Sequence, residues 1–131
     1  MHADAPTSLE HGSEIRPCRT TSLTYNGSVL TFIETKLFTR LVQNYFTDDE
    51  YAELQNSIAA NPETGDLIRG SGGVRKLRWG WSGRGKRGGV RVIYYLRLQQ
   101  GQVWMLTLYA KNEAESIPAA VLKRIKEELD G

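Results

Sequence analysis

The chain has few of the residues that build metal centres and covalent cross-links. Its 131 residues include one cysteine, Cys18, and two histidines, His2 and His11. A single cysteine excludes an internal disulfide and a cysteine-based zinc site, and it fits a reducing compartment. Both histidines lie near the N-terminus, so we predict no metal site.

Long apolar runs are also missing. No run approaches the roughly 20 apolar residues that a membrane-spanning helix needs, and the first 30 residues lack the apolar centre of a signal peptide. We therefore expect a cytoplasmic protein with no membrane partner. Residues 1–28 show neither strand nor helix periodicity, which predicts a poorly ordered N-terminal extension before one domain at 29–131.

Acidic residues are absent from residues 67–112, a stretch that contains ten of the 17 Lys and Arg residues. The preceding segment, 41–66, is the reverse, with six acidic residues and no Lys or Arg. Positive charge without internal counter-charge is typical of a surface that binds a polyanion such as RNA. A solvated positive sheet face would have the same composition, so composition alone leaves both interpretations open.

The first half of the domain predicts one strand and a helical hairpin. Residues 30–34 have the β-branched and aromatic content of a strand, and residues 36–46 carry an apolar stripe at helical spacing. Thr47 to Glu50 form a capping box that starts a second helix, and Pro62 marks its end.

The second half predicts three strands and a last helix. The strands are expected at 74–79, 90–98 and 103–110, and an amphipathic helix at 119–129. Short links between the strands predict an antiparallel meander. Packing the helical hairpin on one face of this sheet would make a small α+β domain with a C-terminal helix.

The glycine-rich connection after the strand expected at 74–79 matches the sequence patterns of nucleotide-binding loops but not their structural context. Residues 83–90 fit G-x-G-x-x-G-x-V, and residues 80–87 nearly spell a P-loop. A P-loop has Ser or Thr at the position of Arg87. Both the P-loop and the dinucleotide-binding loop are followed by a helix, whereas a strand is expected here. We therefore predict no nucleotide cofactor, and expect the glycines to let a cationic loop approach RNA phosphates.

Three runs, in this order, carry a resemblance to a known family. They are SGGVRKLR at 71–78, GKRGGVRVIYY at 85–95 and LTLYAKNE at 106–113. They resemble the HigB-type branch of the RelE/ParE toxin superfamily, over roughly residues 30–129. The resemblance implies a compact RelE-like fold and a toxin of a type II toxin–antitoxin system, which cuts mRNA in the ribosomal A site.

The same resemblance implies the chemistry and the partners. The ribose 2′-OH would attack the adjacent phosphate without a metal ion, and preorganised cations would stabilise the charge that grows on the phosphoryl oxygens. The partners would be the ribosome, mRNA and a cognate antitoxin, often a helix-turn-helix DNA-binding protein. Operator DNA would be contacted only through the antitoxin.

Carried over residue by residue, the resemblance implies two sets of functional side chains. The expected catalytic residues are Lys76, Arg78, Arg91, Tyr109 and Lys111. The expected contacts with RNA or the ribosome are Arg75, Arg84, Lys86, Arg87 and Asn112. RelE itself has an arginine at the position of Asn112 and a later catalytic tyrosine without a clear counterpart here, so Tyr109 or Lys111 would substitute.

Two other functions fit the sequence. One is a ParE-like toxin that inhibits DNA gyrase by binding it, without catalysis, and the other is a plain RNA-binding module. Dense cations on adjacent strands favour cleavage over gyrase binding, because inhibition of a protein target does not require a phosphate cradle.

Overall fold

The computed structural model describes residues 17–80, 89–110 and 122–126. In chain order its elements are β1 (Pro17–Tyr25), β2 (Ser28–Thr35), α1 (Lys36–Val42), α2 (Asp48–Ala60), β3 (Asp66–Leu67), β4 (Val74–Trp79), β5 (Val90–Arg97), β6 (Gln102–Ala110) and α3 (122–126). Short 3-10 turns occupy Pro62–Thr64 and Leu98–Gln100. The expected α+β class is confirmed, and the four expected strands match β2, β4, β5 and β6 to within two residues at each end.

The strands form one six-stranded sheet in the order β1-β2-β6-β5-β4-β3. β4, β5 and β6 are the expected antiparallel meander. β2 joins the far side of β6 in parallel, and the two-residue β3 pairs with β4 at the other edge. The chain between β2 and β6, which includes the helical hairpin and β3 to β5, is the long connection that this parallel pairing requires.

β1 corrects the sequence-based expectation for the N-terminus, because Pro17–Tyr25 form a strand inside the stretch expected to be an extension. It pairs antiparallel with β2 through Asn26 and Gly27, whose φ values of 52° and 82° fit a type I′ hairpin turn. This edge strand is rich in Thr and Ser, which suit a strand without producing a strong apolar alternation. Residues 1–16 lie outside the described part.

The helical hairpin begins where the sequence places it. Thr35 caps α1, because its Oγ1 accepts a hydrogen bond from the Phe38 amide at 3.0 Å. The capping box of α2 is complete: the Glu50 amide donates to Thr47 Oγ1 at 3.1 Å, and the Thr47 amide donates to Glu50 Oε1 at 2.8 Å. α1 ends at Val42 rather than residue 46, and a hydrogen-bonded turn continues the chain into α2.

Helices pack on both faces of the sheet. The hairpin face carries the larger cluster, which includes Phe32, Phe38, Leu54, Ile58 and Tyr94. The opposite face carries Ile33, Val74, Ile93 and Trp104 under Leu122 of α3. Full burial of each large apolar side chain stabilises the fold by roughly 1.5–3 kcal/mol, so both layers contribute.

A buried carboxylate ties β1 to the rest of the domain. Glu34 is 1% exposed, and its Oε2 accepts from Arg19 Nη2 at 2.8 Å and from the Tyr51 hydroxyl at 2.7 Å. Thr39 Oγ1 donates to Glu34 Oε1 at 2.6 Å. Burial, and then the charge of Glu34, raise the pKa of Tyr51 above its ordinary value of 10.0. β1, β2, α1 and α2 therefore meet at one polar cluster whose charge is paired.

Candidate nucleic-acid interface

Three of the expected catalytic residues lie side by side across three neighbouring strands. Arg78 of β4 faces Arg91 of β5, and Arg91 faces Tyr109 of β6. Facing residues of antiparallel strands have Cα atoms about 4.5–5.5 Å apart, so the three side chains leave the sheet as neighbours. We call this set the Arg78–Arg91–Tyr109 row.

Lys76 belongs to the same face, one step further along the sheet. It is two residues from Arg78 on β4, and alternate residues of a strand point to the same side. Lys76 faces Ile93, which in turn faces Thr107 of β6. The structure thus brings Lys76 together with the row, on the side of the sheet that α3 covers in part.

Burial differs along the row. Arg91 and Tyr109 are each 8% exposed, whereas Arg78 is exposed to solvent and Lys76 is half-buried. A buried guanidinium is held in one orientation by its surroundings, while an exposed one can adjust to a ligand. The two facing arginines place two positive groups next to each other, and guanidinium groups bind phosphate through charge-assisted hydrogen bonds. The row therefore has the charge and spacing to receive a phosphate group.

A glycine at the start of β5 permits the close approach of β4 and β5 beside the row. Gly89 has a φ of 61°, and a Cβ at this position would lie 2.5 Å from the Trp79 carbonyl oxygen. Only glycine avoids both the strained backbone and this contact. Trp79 faces Val90 in the adjacent pair, so Gly89 keeps the register that sets Arg78 opposite Arg91.

Arg75 lies on the opposite face from the row and supports a turn. Its Nη1 donates to the Gly65 carbonyl at 2.7 Å and to the Glu63 carbonyl at 3.2 Å. The Tyr94 hydroxyl holds the same turn, because it donates to the Pro62 carbonyl and accepts from the Gly65 amide, both at 2.8 Å. The structure thus separates Arg75 from the other described residues expected to contact RNA or phosphate.

The remaining expected site residues lie outside the described part of the chain. Arg84, Lys86 and Arg87 fall within 81–88, and Lys111 and Asn112 fall within 111–121. In the sequence, both segments are close to residues of the row. Residues 80 and 89 flank the first segment, and Ala110 precedes the second.

α3 adds basic residues that were not among the predicted site residues. Lys126 Nζ stands 5.6 Å from the centre of the Tyr95 ring, a cation–π contact on the face that carries the row. Lys123 and Arg124 of the same helix are exposed. The amphipathic pattern of α3 predicts a helix with one buried side, but it does not indicate which face of the sheet the helix covers.

The exposed acidic residues of α2 lie on the other side of the sheet from the row. Asp48, Asp49 and Glu53 are exposed on α2, which packs on the hairpin face. Glu50 and Glu53 also line a 240 Å³ pocket with the aromatic rings of Phe46 and Trp79. The exposed acids of α2 and the row thus lie on opposite faces of the sheet, whereas Asp66 faces Lys76 across the β3–β4 pair. A charge difference between two faces orients an approaching polyanion.

No protein-family model matches the chain. Among the described residues, no group of three or more His, Cys, Asp or Glu side chains is placed to hold a metal ion. None of the described helices combines the length and the apolar character that crossing a membrane requires.

Proposed function

We propose that this chain is the toxin of a type II toxin–antitoxin system and acts in the cytoplasm as a ribosome-dependent mRNA endonuclease of the HigB type. The observation that carries the proposal is the Arg78–Arg91–Tyr109 row, in which two guanidinium groups and a phenol share one sheet face. The three sequence runs that resemble HigB-type toxins support the same function and include all three residues of the row.

The proposed reaction needs no metal ion. The 2′-oxygen of a ribose attacks the adjacent phosphorus, a new O–P bond forms, and the bond from phosphorus to the 5′-oxygen of the next nucleotide breaks. One fragment keeps a 2′,3′-cyclic phosphate and the other gains a 5′-hydroxyl. One proton leaves the 2′-hydroxyl and one reaches the 5′-oxygen, so a general base and a general acid are required.

The burial of each residue suggests its part in this reaction. Arg91, held within the sheet surface, binds the phosphoryl oxygens in a fixed geometry, where preorganised charge stabilises the transition state most strongly. Arg78 and Lys76 approach the same phosphate from the solvent side. Tyr109 carries a hydroxyl that can donate or accept a proton, and it faces Arg91 on the neighbouring strand. Lys111 is the other candidate for proton transfer.

The proposed partners follow from the same assignment. The ribosome presents mRNA to the cationic face, and a cognate antitoxin neutralises the protein between periods of activity. Contact with operator DNA occurs only through that antitoxin.

Mapping of mRNA 5′ ends in cells that express the protein tests the proposal. Expression of the wild-type chain should produce new 5′ ends within translated codons, and folded Lys76→Ala and Arg91→Ala variants should lose them. The matched control is Arg40→Ala, which removes an exposed arginine from α1 on the opposite side of the sheet.

The alternatives give different results in the same cells. Growth arrest with intact mRNA and damaged DNA would favour a gyrase-directed toxin. RNA binding without cleavage or toxicity would favour a plain RNA-binding module. Either outcome would refute the endonuclease.

A further inference from the structure

β1 is an edge of the sheet, and among the described residues no strand other than β2 lies beside it. It stands first in the strand order β1-β2-β6-β5-β4-β3, so only β2 pairs with it. A strand edge presents backbone N–H and C=O groups that can pair with a further strand.

The hairpin turn fixes which residues of β1 point outward. Tyr25 and Ser28 flank a two-residue type I′ turn, so they exchange both of their backbone hydrogen bonds. Hydrogen-bonded pairs alternate along antiparallel strands, so Leu23 and Thr21 also bond to β2. The backbone groups of the intervening residues, Thr20, Ser22 and Thr24, then point away from the sheet. The close approach of Ser22 Oγ to Thr31 Oγ1, 3.4 Å, fits a pair without ladder bonds.

The outward edge lacks the usual protection against strand pairing. Residues 20–25 contain no charge and no proline. The irregular register, Pro17 and Arg19 all lie at the beginning of β1, before this stretch. Edge strands that stay unpaired normally carry a charge, a proline or a bulge where another strand would dock. Six consecutive residues here carry none of these.

We propose that β1 pairs with β1 of a second copy of the chain, antiparallel and centred on Ser22. In this register Ser22 faces Ser22 of the second copy, and Thr20 faces Thr24 of the second copy. All three facing pairs use the outward groups, so each copy contributes three N–H donors and three C=O acceptors. The sheets of the two copies become continuous.

The side chains favour a second copy over an unrelated strand. On one face the pairs are hydroxyl against hydroxyl, a cross-strand combination that stabilises antiparallel pairs. On the other face Thr21 meets Leu23, and the exposed ring of Tyr25 meets Arg19, whose charge is already paired with Glu34. No like charges face each other in this register, because Arg19 is the only charged residue of β1.

This dimer leaves the cationic face accessible. β2 and β6 separate β1 from β5 and β4, which carry the two arginines of the row. The two-fold axis of an antiparallel pair stands perpendicular to the sheet, so the rows of both copies face the same side. The proposal does not depend on the proposed nuclease activity, and either can fail without the other.

Light scattering of the full-length chain during size-exclusion chromatography, over a range of concentrations, tests the pairing. The wild-type protein should reach twice the 14.7 kDa of one chain. Ser22→Lys places two like charges on the axis, and should weaken self-association by about tenfold or more. Gln99→Lys adds the same charge on an exposed residue outside β1 and should leave the dimer unchanged. A wild-type protein that is monomeric throughout overturns the proposal.

Two further variants separate pairing at Ser22 from other kinds of association. Ser22→Pro removes only the outward N–H, so it should abolish the dimer while circular dichroism shows a folded domain. In a Cys18→Ser background, Ser22→Cys should form a disulfide-linked dimer on oxidation, because facing Cα atoms lie within disulfide range. Exposed Val29 offers the control, as Val29→Cys should not cross-link. A dimer that persists in Ser22→Lys and Ser22→Pro, or that cross-links through Val29→Cys but not through Ser22→Cys, refutes the register.

Discussion

Arg78 and Arg91 face each other across the β4–β5 ladder, although like charges in this position destabilise a sheet. One of them is exposed and the other is almost completely buried, so the pair joins a fixed guanidinium to an adaptable one. We propose that one phosphate group binds between the two groups. The following predictions test this interpretation and the contacts that hold the row in place.

Removal of the exposed arginine should change how binding to RNA depends on salt. Each phosphate contact contributes about 0.7 to the slope of log K against log salt for a single strand. Arg78→Ala should therefore lower the slope by roughly that amount, and Arg40→Ala should not. Fluorescence anisotropy with a labelled single-stranded RNA at several salt concentrations measures both. Equal slopes for the two variants would count against the row as the contact surface.

Arg75 and Tyr94 should matter for stability rather than for RNA binding. Tyr94→Phe removes two hydrogen bonds to the turn at residues 62–65, and should lower the free energy of unfolding by about 1–3 kcal/mol. Arg75→Ala should also destabilise the protein and leave the salt slope unchanged. Urea denaturation and the anisotropy assay together decide this, with Tyr25→Phe as the control at an exposed tyrosine. A reduced salt slope in Arg75→Ala would show that Arg75 contacts RNA.

Gly89 should resist substitution because it permits the close approach of β4 and β5. Gly89→Ala combines a positive φ with a Cβ 2.5 Å from the Trp79 carbonyl oxygen, so a loss of about 1–3 kcal/mol is expected. Gly80→Ala is the control, since a Cβ there meets no atom within 4 Å. Thermal unfolding of the two variants compares them directly. Similar melting temperatures would show that Gly89 and the Trp79 carbonyl can move apart without loss of stability.

The buried Tyr51 should make the protein lose stability in alkaline solution. Its pKa is raised in the folded state, so above its ordinary value of 10.0 the unfolded chain loses the proton first. The stability from this group is therefore complete below about pH 10 and declines as the pH rises further. Urea denaturation between about pH 8 and pH 11 measures the free energy of unfolding. Its decline over this range should be about 1 kcal/mol smaller in Tyr51→Phe than in the wild-type protein. An unchanged decline in that variant would contradict the raised pKa.

Local signals in the sequence were sufficient for much of the fold. The capping box at Thr47 and Glu50 and the alternation along β5 depend only on neighbouring residues, so α2 and the central strands could be predicted. β1 could not, because an edge strand of Thr and Ser has little apolar alternation. Its attachment through Arg19 and Glu34 joins residues that are distant in the sequence.

The candidate site was predictable as a set of residue types but not as a geometry. Alternation places Lys76 and Arg78 on one face of β4, yet the facing of Arg78 and Arg91 depends on the strand register, which alternation does not determine. The contact of Arg75 with the carbonyl of Gly65 also could not be predicted from the sequence. An arginine within a basic cluster looks the same in the sequence whether its side chain binds RNA or supports a turn.

Cleavage of mRNA on purified ribosomes tests the central claim most directly. Wild-type protein and Arg40→Ala should cut a defined mRNA within the codon in the A site and leave a 5′-hydroxyl on the downstream fragment. Arg78→Ala should cut at least about 100-fold more slowly, because it lacks one of the groups that stabilise the transition state. An intact mRNA with the wild-type protein, or equal cleavage by Arg78→Ala and Arg40→Ala, would contradict the account.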